Sequence, residues 1–337
     1  YNCNFSHTLH TKRHFIHSHT QEKSFYMFSM ATLNSLFWKY SLYQILITTL
    51  LVFRATAVNC LIKYELKAIT PENEAIIHKE EVITNQVNAF SITLLSDVTV
   101  LRKSMLLITS ELLYLQLDGH NIEEIETGAF DNQNITELIS LNNNKLTAIV
   151  SGTFRNMEVR AIDLNHNEIT HVEENAITDM PNLIQIILCR NKIVKFHGNS
   201  FVNTPQMLIV YLQHNELGEL GEKSFSFFKK KEAGFVELQY NKIEKIHPKV
   251  FEESRIWYLD LSHNKLNEVP EEMFTESLVE LKLNNNTLED LPSSFFQKKN
   301  LKVLDISDNP LKCGTLQKLK KFARENSLAI EYDNQNC

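Results

Sequence analysis

The residues with the most reactive side chains in this sequence recur at matched distances along the chain. His166, His214 and His263 each stand directly before an asparagine, and imidazole nitrogens are frequent zinc ligands. A zinc site needs more ligands than these, but the equivalent positions between the histidines hold Arg190 and Tyr240. The sequence therefore predicts no metal site and no cofactor.

Carboxylates are the other candidates for catalysis. Asp163, Glu237 and Asp260 recur at one register, and paired carboxylates can act as general acid and base. On an open surface, however, they lack the desolvation that shifts a catalytic pKa. The sequence also contains no GxSxG, HExxH or phosphate-loop motif and no Cys/His pair at catalytic spacing. We predict a protein that is not an enzyme; an unrecognised secreted hydrolase is the weakest alternative.

These side chains are held in place by a strand and a turn that recur along the chain. The stretch from Tyr258 to Leu266 reads YLDLSHNKL, and variants of this sequence recur from Leu112 to Leu311. Its pattern is LxxLxLxxNxL, the leucine-rich repeat signature. The fold class is therefore predicted to be an α/β repeat. It is a curved leucine-rich repeat solenoid with a parallel concave sheet, an irregular convex side and a cap at each end.

Two columns of residues fix the register of the repeats. Every 22 to 26 residues a turn position recurs, and buried asparagines there can pair backbone groups that the bend leaves open. The predicted ladder consists of His120, Asn144, Asn167, Asn191, Asn215, Asn241, Asn264, Asn286 and Asn309. Ten residues after eight of these stands a large apolar residue of the convex core: Phe130, Phe154, Ile177, Phe201, Phe225, Phe251, Phe274 and Phe296. The longest step holds Phe227, Phe228 and three lysines, which we expect in a convex loop.

The predicted domains follow from composition. Residues 1–29 read as an upstream leader, and residues 30–57 as a signal peptide with an Ala55-Thr56-Ala57 cleavage site. Residues 58–88 are the N-terminal cap, 89–311 nine regular repeats and one degenerate repeat, and 312–337 the C-terminal cap. We expect a secreted chain without a membrane span after cleavage. The net charge of −7 argues against a nucleic-acid partner.

The variable side chains between the inward leucines line the concave sheet. In the middle repeats they form an apolar and aromatic group with an acidic border, the pattern of a protein interface. The predicted partner-binding residues are Ile187, Ile209, Tyr211, Phe235, Tyr240, Tyr258, Asp163, Glu237 and Asp260. Glycosylation sequons begin at Asn134 and Asn285. A glycan on Asn285, at the concave edge, would confine binding to the middle repeats.

The signal peptide, the repeats and phrases such as NIEEIETGAF at residues 121–130 resemble secreted insect leucine-rich repeat proteins, including the mosquito leucine-rich immune proteins. Toll-type receptor ectodomains and neural adhesion proteins carry similar repeats. The resemblance implies recognition of an extracellular protein or a microbial-surface component, in innate immunity or as a scaffold. The alternative is the ectodomain of a receptor or adhesion protein whose membrane anchor is missing. The coiled coil of the mosquito proteins is not in this sequence.

The four cysteines that follow the predicted signal peptide divide into two sets. The C-terminal segment resembles the cysteine-containing cap of extracellular leucine-rich repeat proteins, which implies a Cys313–Cys337 disulfide. Cys60 and Cys189 stand three or four repeats apart, which disfavours a direct bridge unless the N-terminal cap folds inward. Both are expected to be thiols, with a bridge to another chain or an inert buried side chain as the alternatives. The oligomeric state is left open.

Overall fold

The computed structural model describes residues 68–69, 75–76, 89–91, 99–103, 106, 112–228 and 234–333. They belong to the compact unit formed by Ile62–Ile83 and Asn88–Cys337. An eleven-stranded sheet dominates this unit, and each strand pairs in parallel with the next along the chain. Its strands are β1 (Ala89–Ser91), β2 (Leu112–Gln116), β3 (Ile135–Ser140), β4 (Ala161–Asp163), β5 (Gln185–Ile187), β6 (Ile209–Tyr211), β7 (Gly234–Glu237), β8 (Ile256–Asp260), β9 (Glu280–Lys282), β10 (Val303–Asp305) and β11 (Ala329–Glu331).

Shorter elements connect these strands on the convex side of the repeats, away from the main sheet. Parallel pairs join Val100–Leu101 with Glu124–Ile125, Ala148–Ile149 with His171–Val172, and Glu219–Leu220 with Lys245–Ile246. A three-stranded sheet contains Phe154–Arg155, Ile177–Thr178 and Phe201–Val202. Short 3-10 helices span Gly198–Ser200, Glu271–Met273 and Ser293–Gln297. The leucine-rich repeat solenoid predicted from the sequence is thereby confirmed.

The repeat leucines form one continuous core between these two sides. In the repeat that contains β8, Ile256, Leu259, Leu261 and Leu266 are each at most 1% exposed. One repeat alone could not cover four such side chains, and its neighbours on both sides complete their burial. Each fully buried side chain of this size contributes about 1.5–3 kcal/mol, so stacking supplies the stability of the array.

The turn asparagines are buried and connect the backbone of two successive repeats through three hydrogen bonds. Asn215 is typical: its Nδ2 donates to the carbonyls of Leu188 and Leu212 at 2.9 and 3.0 Å, and its Oδ1 accepts from Ile193 N at 3.0 Å. The same three-way arrangement repeats from Asn144 to Asn309. His120 occupies the first turn position differently, since its backbone N–H donates to Asn144 Oδ1 at 3.0 Å.

Aromatic rings fill the convex side of the core, with one departure from the predicted column. Phe130 and Phe154 stack at 5.3 Å between centroids, as the repeat spacing requires. In the repeat after Asn286, however, the fully buried ring belongs to Phe295, whereas Phe296 is only partly buried. The 3-10 helix Ser293–Gln297 tightens the chain there and shifts the inward position by one residue.

The extra residues of the longest repeat begin inside the core rather than in a solvated loop. Phe227 and Phe228 are 7% and 1% exposed, and their rings lie 4.6 Å apart. The chain re-enters the sheet at Gly234, where a Cβ atom would lie 2.7 Å from the Phe228 ring. Residues 229–231, the predicted lysine loop, lie outside the described residues.

The C-terminal segment covers the end of the array with helix α1 (Cys313–Asn326) and strand β11. Leu316, Leu319, Phe322 and Ala323 form the buried face of α1. Because β11 pairs with β10, this segment also adds a strand to the main sheet. The predicted leader and signal peptide lie outside the described residues. So does most of the N-terminal cap, apart from the antiparallel pair Ala68–Ile69 and Ala75–Ile76.

Candidate functional site

The variable positions of neighbouring repeats line up across the concave sheet. The register pairs Ile209 with Phe235 and Phe235 with Tyr258, and it pairs Tyr211 with Glu237 and Glu237 with Asp260. Side chains on adjacent parallel strands are about 4.8 Å apart and project to the same face. The sheet thus brings the predicted aromatic residues and carboxylates of the middle repeats together.

Four rings form one group, which we name the aromatic cluster: Tyr211, Phe235, Trp257 and Tyr258. Phe235 and Tyr258 stack at 4.2 Å with an 8° angle between planes. Tyr211 and Trp257 each approach Phe235 at 5.8 Å. Trp257 was not among the predicted site residues, because it precedes the two variable positions considered. Its adjacency in sequence to Tyr258 was the signal that could have identified it.

The cluster is more covered than the sequence led us to expect. Phe235 and Tyr258 are each 7% exposed and Ile209 is 5% exposed, whereas Tyr211 and Trp257 are half-buried. The expectation of a broadly exposed apolar patch is wrong for these three residues, since stacked rings on adjacent strands shield each other. Tyr211, Trp257 and the half-buried Ile187 offer the accessible apolar surface.

The carboxylates of the predicted acidic border also hold the turns of their own repeats. Asp163 Oδ1 accepts from Asn165 N at 2.9 Å. Asp260 Oδ1 accepts from Ser262 N at 2.9 Å and Ser262 Oγ at 2.6 Å. Asp260 is 5% exposed, so it lies beneath the surface rather than on an exposed border. Glu237 is half-buried and accepts from Gln239 Nε2 at 3.2 Å.

One lysine lies against the aromatic cluster. Lys282 Nζ is 5.5 Å from the Tyr258 ring centroid and 4.0 Å from Asp260 Oδ2. Burial and the carboxylates of Asp260, Glu237 and Glu280 raise the pKa of the Tyr258 hydroxyl, so it stays protonated. Burial likewise raises the pKa of Glu280, although Lys282 opposes the shift. The group therefore combines ring faces, carboxylates and the ammonium group of Lys282.

A second row borders the sheet just before the turn asparagines, and we name it the edge row. All its members have positive φ: Gly119, Asn143, His166, Arg190, His214, Tyr240, His263, Asn285 and Asp308. Tyr240 lies between His214 and His263, with ring centroids 4.6 and 4.1 Å apart and nearly parallel planes. It is 46% exposed and accessible to a partner.

The surroundings of two edge-row histidines, His166 and His214, disfavour their charged form. Burial first and Arg190 second lower the pKa of His166 and of His214. The part of the chain that the structure describes contains no group of three or more His, Cys, Asp or Glu side chains suited to a metal ion. The row places imidazole rings and a tyrosine side by side on the rim.

The cysteines have separate environments. Cys189 is fully buried, and its Sγ donates to Asn165 Oδ1 at 2.9 Å. This burial favours the inert buried side chain over a bridge to another chain, because a partner could reach the sulfur only by opening the sheet. Cys313 is disulfide-bonded, whereas Cys337 and Cys60 lie outside the described residues. The Cys313–Cys337 pairing stays a prediction.

Both sequon asparagines are exposed, although in different settings. Asn134 precedes β3 in the link between repeats. Asn285 belongs to the edge row, where its positive φ of 57° holds the side chain at the rim of the concave sheet. Glycosylation at either residue stays a prediction.

Comparisons with known proteins agree with this architecture. The leucine rich repeat family model matches residues 110–169 and 157–217, and that of the BspA type leucine rich repeat region matches residues 214–317. The chain belongs to the leucine-rich repeat proteins. Human lumican is 28% identical over 216 residues, which cover 62% of each chain. Keratocan from Bos taurus is 29% identical over 210 residues, covering 60% of this chain and 58% of keratocan.

The leucine-rich repeat chain thus spans about three fifths of the length of these relatives. Among solved structures, the Toll–Spatzle complex from Drosophila is similar in fold, with a TM-score of 0.53 and 20% identity. The match covers 59% of this chain and 27% of the Toll chain. The expected similarity to Toll-type ectodomains is confirmed at the level of fold. None of the helices in the described ranges has the length and apolarity to cross a bilayer.

Proposed function

We propose that this protein is an extracellular recognition protein without catalytic activity, which binds a protein partner on the concave face of its middle repeats. The observation that carries this proposal is the aromatic cluster on the concave sheet, with Tyr211 and Trp257 half-buried at its margins. Tyrosine and tryptophan contribute most to affinity at interfaces when a rim excludes water around them. The edge row, with exposed Tyr240, would supply one side of that rim.

The fold and the predicted signal peptide support this choice of partner. Toll, whose repeats have the same fold, has been solved in complex with Spatzle, so such a scaffold can present a protein-binding surface. The predicted signal peptide at residues 30–57 would direct the chain out of the cell. An innate-immune or extracellular scaffolding role, with a protein or a microbial-surface component as ligand, is the specific form of the proposal.

The test compares alanine substitutions on the concave face with alanine substitutions outside it. The immobilised protein would be used to capture partners from extracellular fluid, alongside a Tyr211→Ala/Trp257→Ala variant. The matched control is Val194→Ala/Val202→Ala, two exposed apolar residues outside the main sheet. A partner retained by wild type and control but lost from the concave variant supports the proposal. Equal capture by all three, with all melting temperatures unchanged, would place the binding surface elsewhere.

A receptor or adhesion ectodomain is the second form that the same surface could take. The two forms share the binding face and differ in the sequence beyond Cys337. Sequencing the transcript to its stop codon separates them. An apolar segment of about 20 residues after Cys337 would make the chain part of a membrane protein.

A further inference from the structure

We infer that the aromatic cluster and its neighbouring carboxylates bind a cationic side chain, an arginine in a basic segment of the partner protein. This inference rests on the proposed concave-face recognition and specifies the partner's chemistry. Within strands β7 to β9, the outward positions hold the carboxylates of Glu237, Asp260 and Glu280 against the one ammonium of Lys282. The charge of the middle sheet is therefore negative where the rings lie.

Lys282 shows how a cation fits this surface. Its Nζ lies over the Tyr258 ring and within ion-pair distance of Asp260, at 5.5 and 4.0 Å. A cation within about 6 Å of a ring centroid is attracted by the negative face of the ring. The side chain that makes these contacts remains 36% exposed. A cation can thus be held against a ring and a carboxylate here without being buried.

The other side of the cluster offers the same pair of groups. Tyr211 and Glu237 are cross-strand partners on β6 and β7. They place a ring beside a carboxylate, as the Tyr258 ring and Asp260 do at Lys282. The Tyr211 ring meets the covered Phe235 ring at 62°, so the half-buried Tyr211 ring is the accessible aromatic surface next to Glu237 on the neighbouring strand. Both Tyr211 and Glu237 are half-buried, so a partner side chain can reach them.

Adjacent carboxylates add a reason for a cation to bind at this point. Glu237 and Asp260 are direct cross-strand neighbours, and like charges at such positions destabilise a sheet. Lys282 offsets the charge of Asp260 from the β9 side. A guanidinium above Glu237 would offset the pair from the β6 side. Arginine suits this position better than lysine because its planar group can stack on a ring and donate two hydrogen bonds to a carboxylate.

The test uses two peptides of identical length, capped at both ends, and the full chain. One alternates arginine with glycine, and the other replaces each arginine with citrulline, which has the same shape but no charge. Isothermal titration should give at least about tenfold tighter binding of the arginine peptide. Glu237→Gln should weaken that binding about tenfold, the value of one charge-assisted hydrogen bond. Tyr211→Leu should weaken it about threefold through loss of the cation–π contact.

Glu268→Gln is the matched control, because Glu268 is exposed and lies beyond the turn, outside the main sheet. The affinity of the Glu268→Gln variant for the arginine peptide should stay within about twofold of the wild-type value, since salt screens a remote charge. If Glu237→Gln and Glu268→Gln lowered the affinity for the arginine peptide equally, the peptide would be attracted by overall negative charge rather than by a specific site, and the inference would be overturned. Equal binding of both peptides, or no effect of Glu237→Gln, would overturn it as well. Light scattering would also show whether the protein dimerises. If it does, and Glu237→Gln dissociates the dimer, a second copy of the chain occupies this surface and the inference is wrong.

The two proposals fail in distinguishable ways. If the arginine peptide does not bind but capture from extracellular fluid still depends on Tyr211 and Trp257, the cation site is wrong and concave recognition stands. If that capture also fails to depend on these residues, the proposed function itself falls. Melting temperatures of all variants, measured beside the titrations, identify any loss that comes from unfolding.

Discussion

At the scale of single residues, the turn asparagines have the largest consequences for stability. Asn215 satisfies two carbonyls and one N–H that no water reaches. Asn215→Ala would leave the Ile193 N–H unpaired, and a buried unsatisfied group costs about 1–3 kcal/mol. The Leu188 and Leu212 carbonyls would each lose one bond worth about 0.5–1.5 kcal/mol but keep their bonds from Asn191 and Asn241. We expect a loss of about 3–5 kcal/mol in the free energy of unfolding, measured by urea denaturation.

The control for this substitution is Asn267→Ala. Asn267 is exposed and lies outside the turn positions, so its replacement should change the stability by no more than about 0.5 kcal/mol. A similar small change for Asn215→Ala would mean that the ladder bonds contribute little beyond what water supplies in the unfolded chain.

Glu280 should make stability depend on pH in a direction opposite to most carboxylates. Burial raises its folded pKa above the unfolded value of about 4.3. Its stabilising contribution is complete below that unfolded pKa and is lost as pH rises through the folded pKa. Glu280→Gln removes the buried charge, so it should raise the melting temperature at pH 7 and change it little at pH 4. Calorimetry at both pH values measures the difference, and a larger gain at pH 4 would contradict the argument.

At the scale of elements, the entry into β7 depends on one glycine. The backbone of Gly234 has no positive φ, yet a Cβ there would lie 2.7–2.8 Å from three atoms of the Phe228 ring. Gly234→Ala should therefore destabilise by about 1–3 kcal/mol through overpacking. Thermal denaturation measures the loss. Adding Phe228→Leu should cost less in the Gly234→Ala background than in wild type, because the two sites share the clash.

Gly218→Ala serves as the comparison at this scale, since a Cβ at Gly218 would meet nothing within 4 Å and its φ is ordinary. It should leave the melting temperature nearly unchanged or raise it slightly. If both glycine variants behaved alike, the packing of Phe228 against the start of β7 would not be the cause.

The sequence predicts elements whose features repeat, but not the places where neighbouring repeats pack irregularly. The positions of Leu259, Leu261 and Asn264 recur from repeat to repeat, so their burial could be predicted from the period alone. The inward turn of Phe295 in place of Phe296 depends on a local 3-10 helix. The burial of Phe228 depends on an insertion with no counterpart in other repeats. A periodic pattern carries no information about either.

The same distinction applies to the candidate site. The register brought Tyr211, Phe235 and Glu237 together as the repeat spacing predicted. The degree to which Phe235 and Tyr258 cover each other depends on ring planes only 8° apart, which spacing alone does not determine. Asp260 was expected at an exposed border, but its bonds to Ser262 draw it beneath the surface.

At the scale of the whole molecule, structural and variable positions are separated in the sequence. The buried leucines and asparagines set the path of the chain, while the residues between them lie on the concave sheet and its edge. Side chains at the variable positions can therefore change with little effect on the core. This separation explains why relatives under 30% identical, such as human lumican, share the repeats. It also explains why the fold leaves the ligand unspecified.

The asparagine ladder has a further consequence for the thermodynamics of association. Each asparagine bonds to carbonyls of two successive repeats, so the spacing between concave strands is set before any partner arrives. Little backbone freedom remains to be lost on contact, and the entropic penalty of complex formation is correspondingly small. Affinity can then arise from a few side chains, such as Tyr211 and Trp257, over a modest contact area.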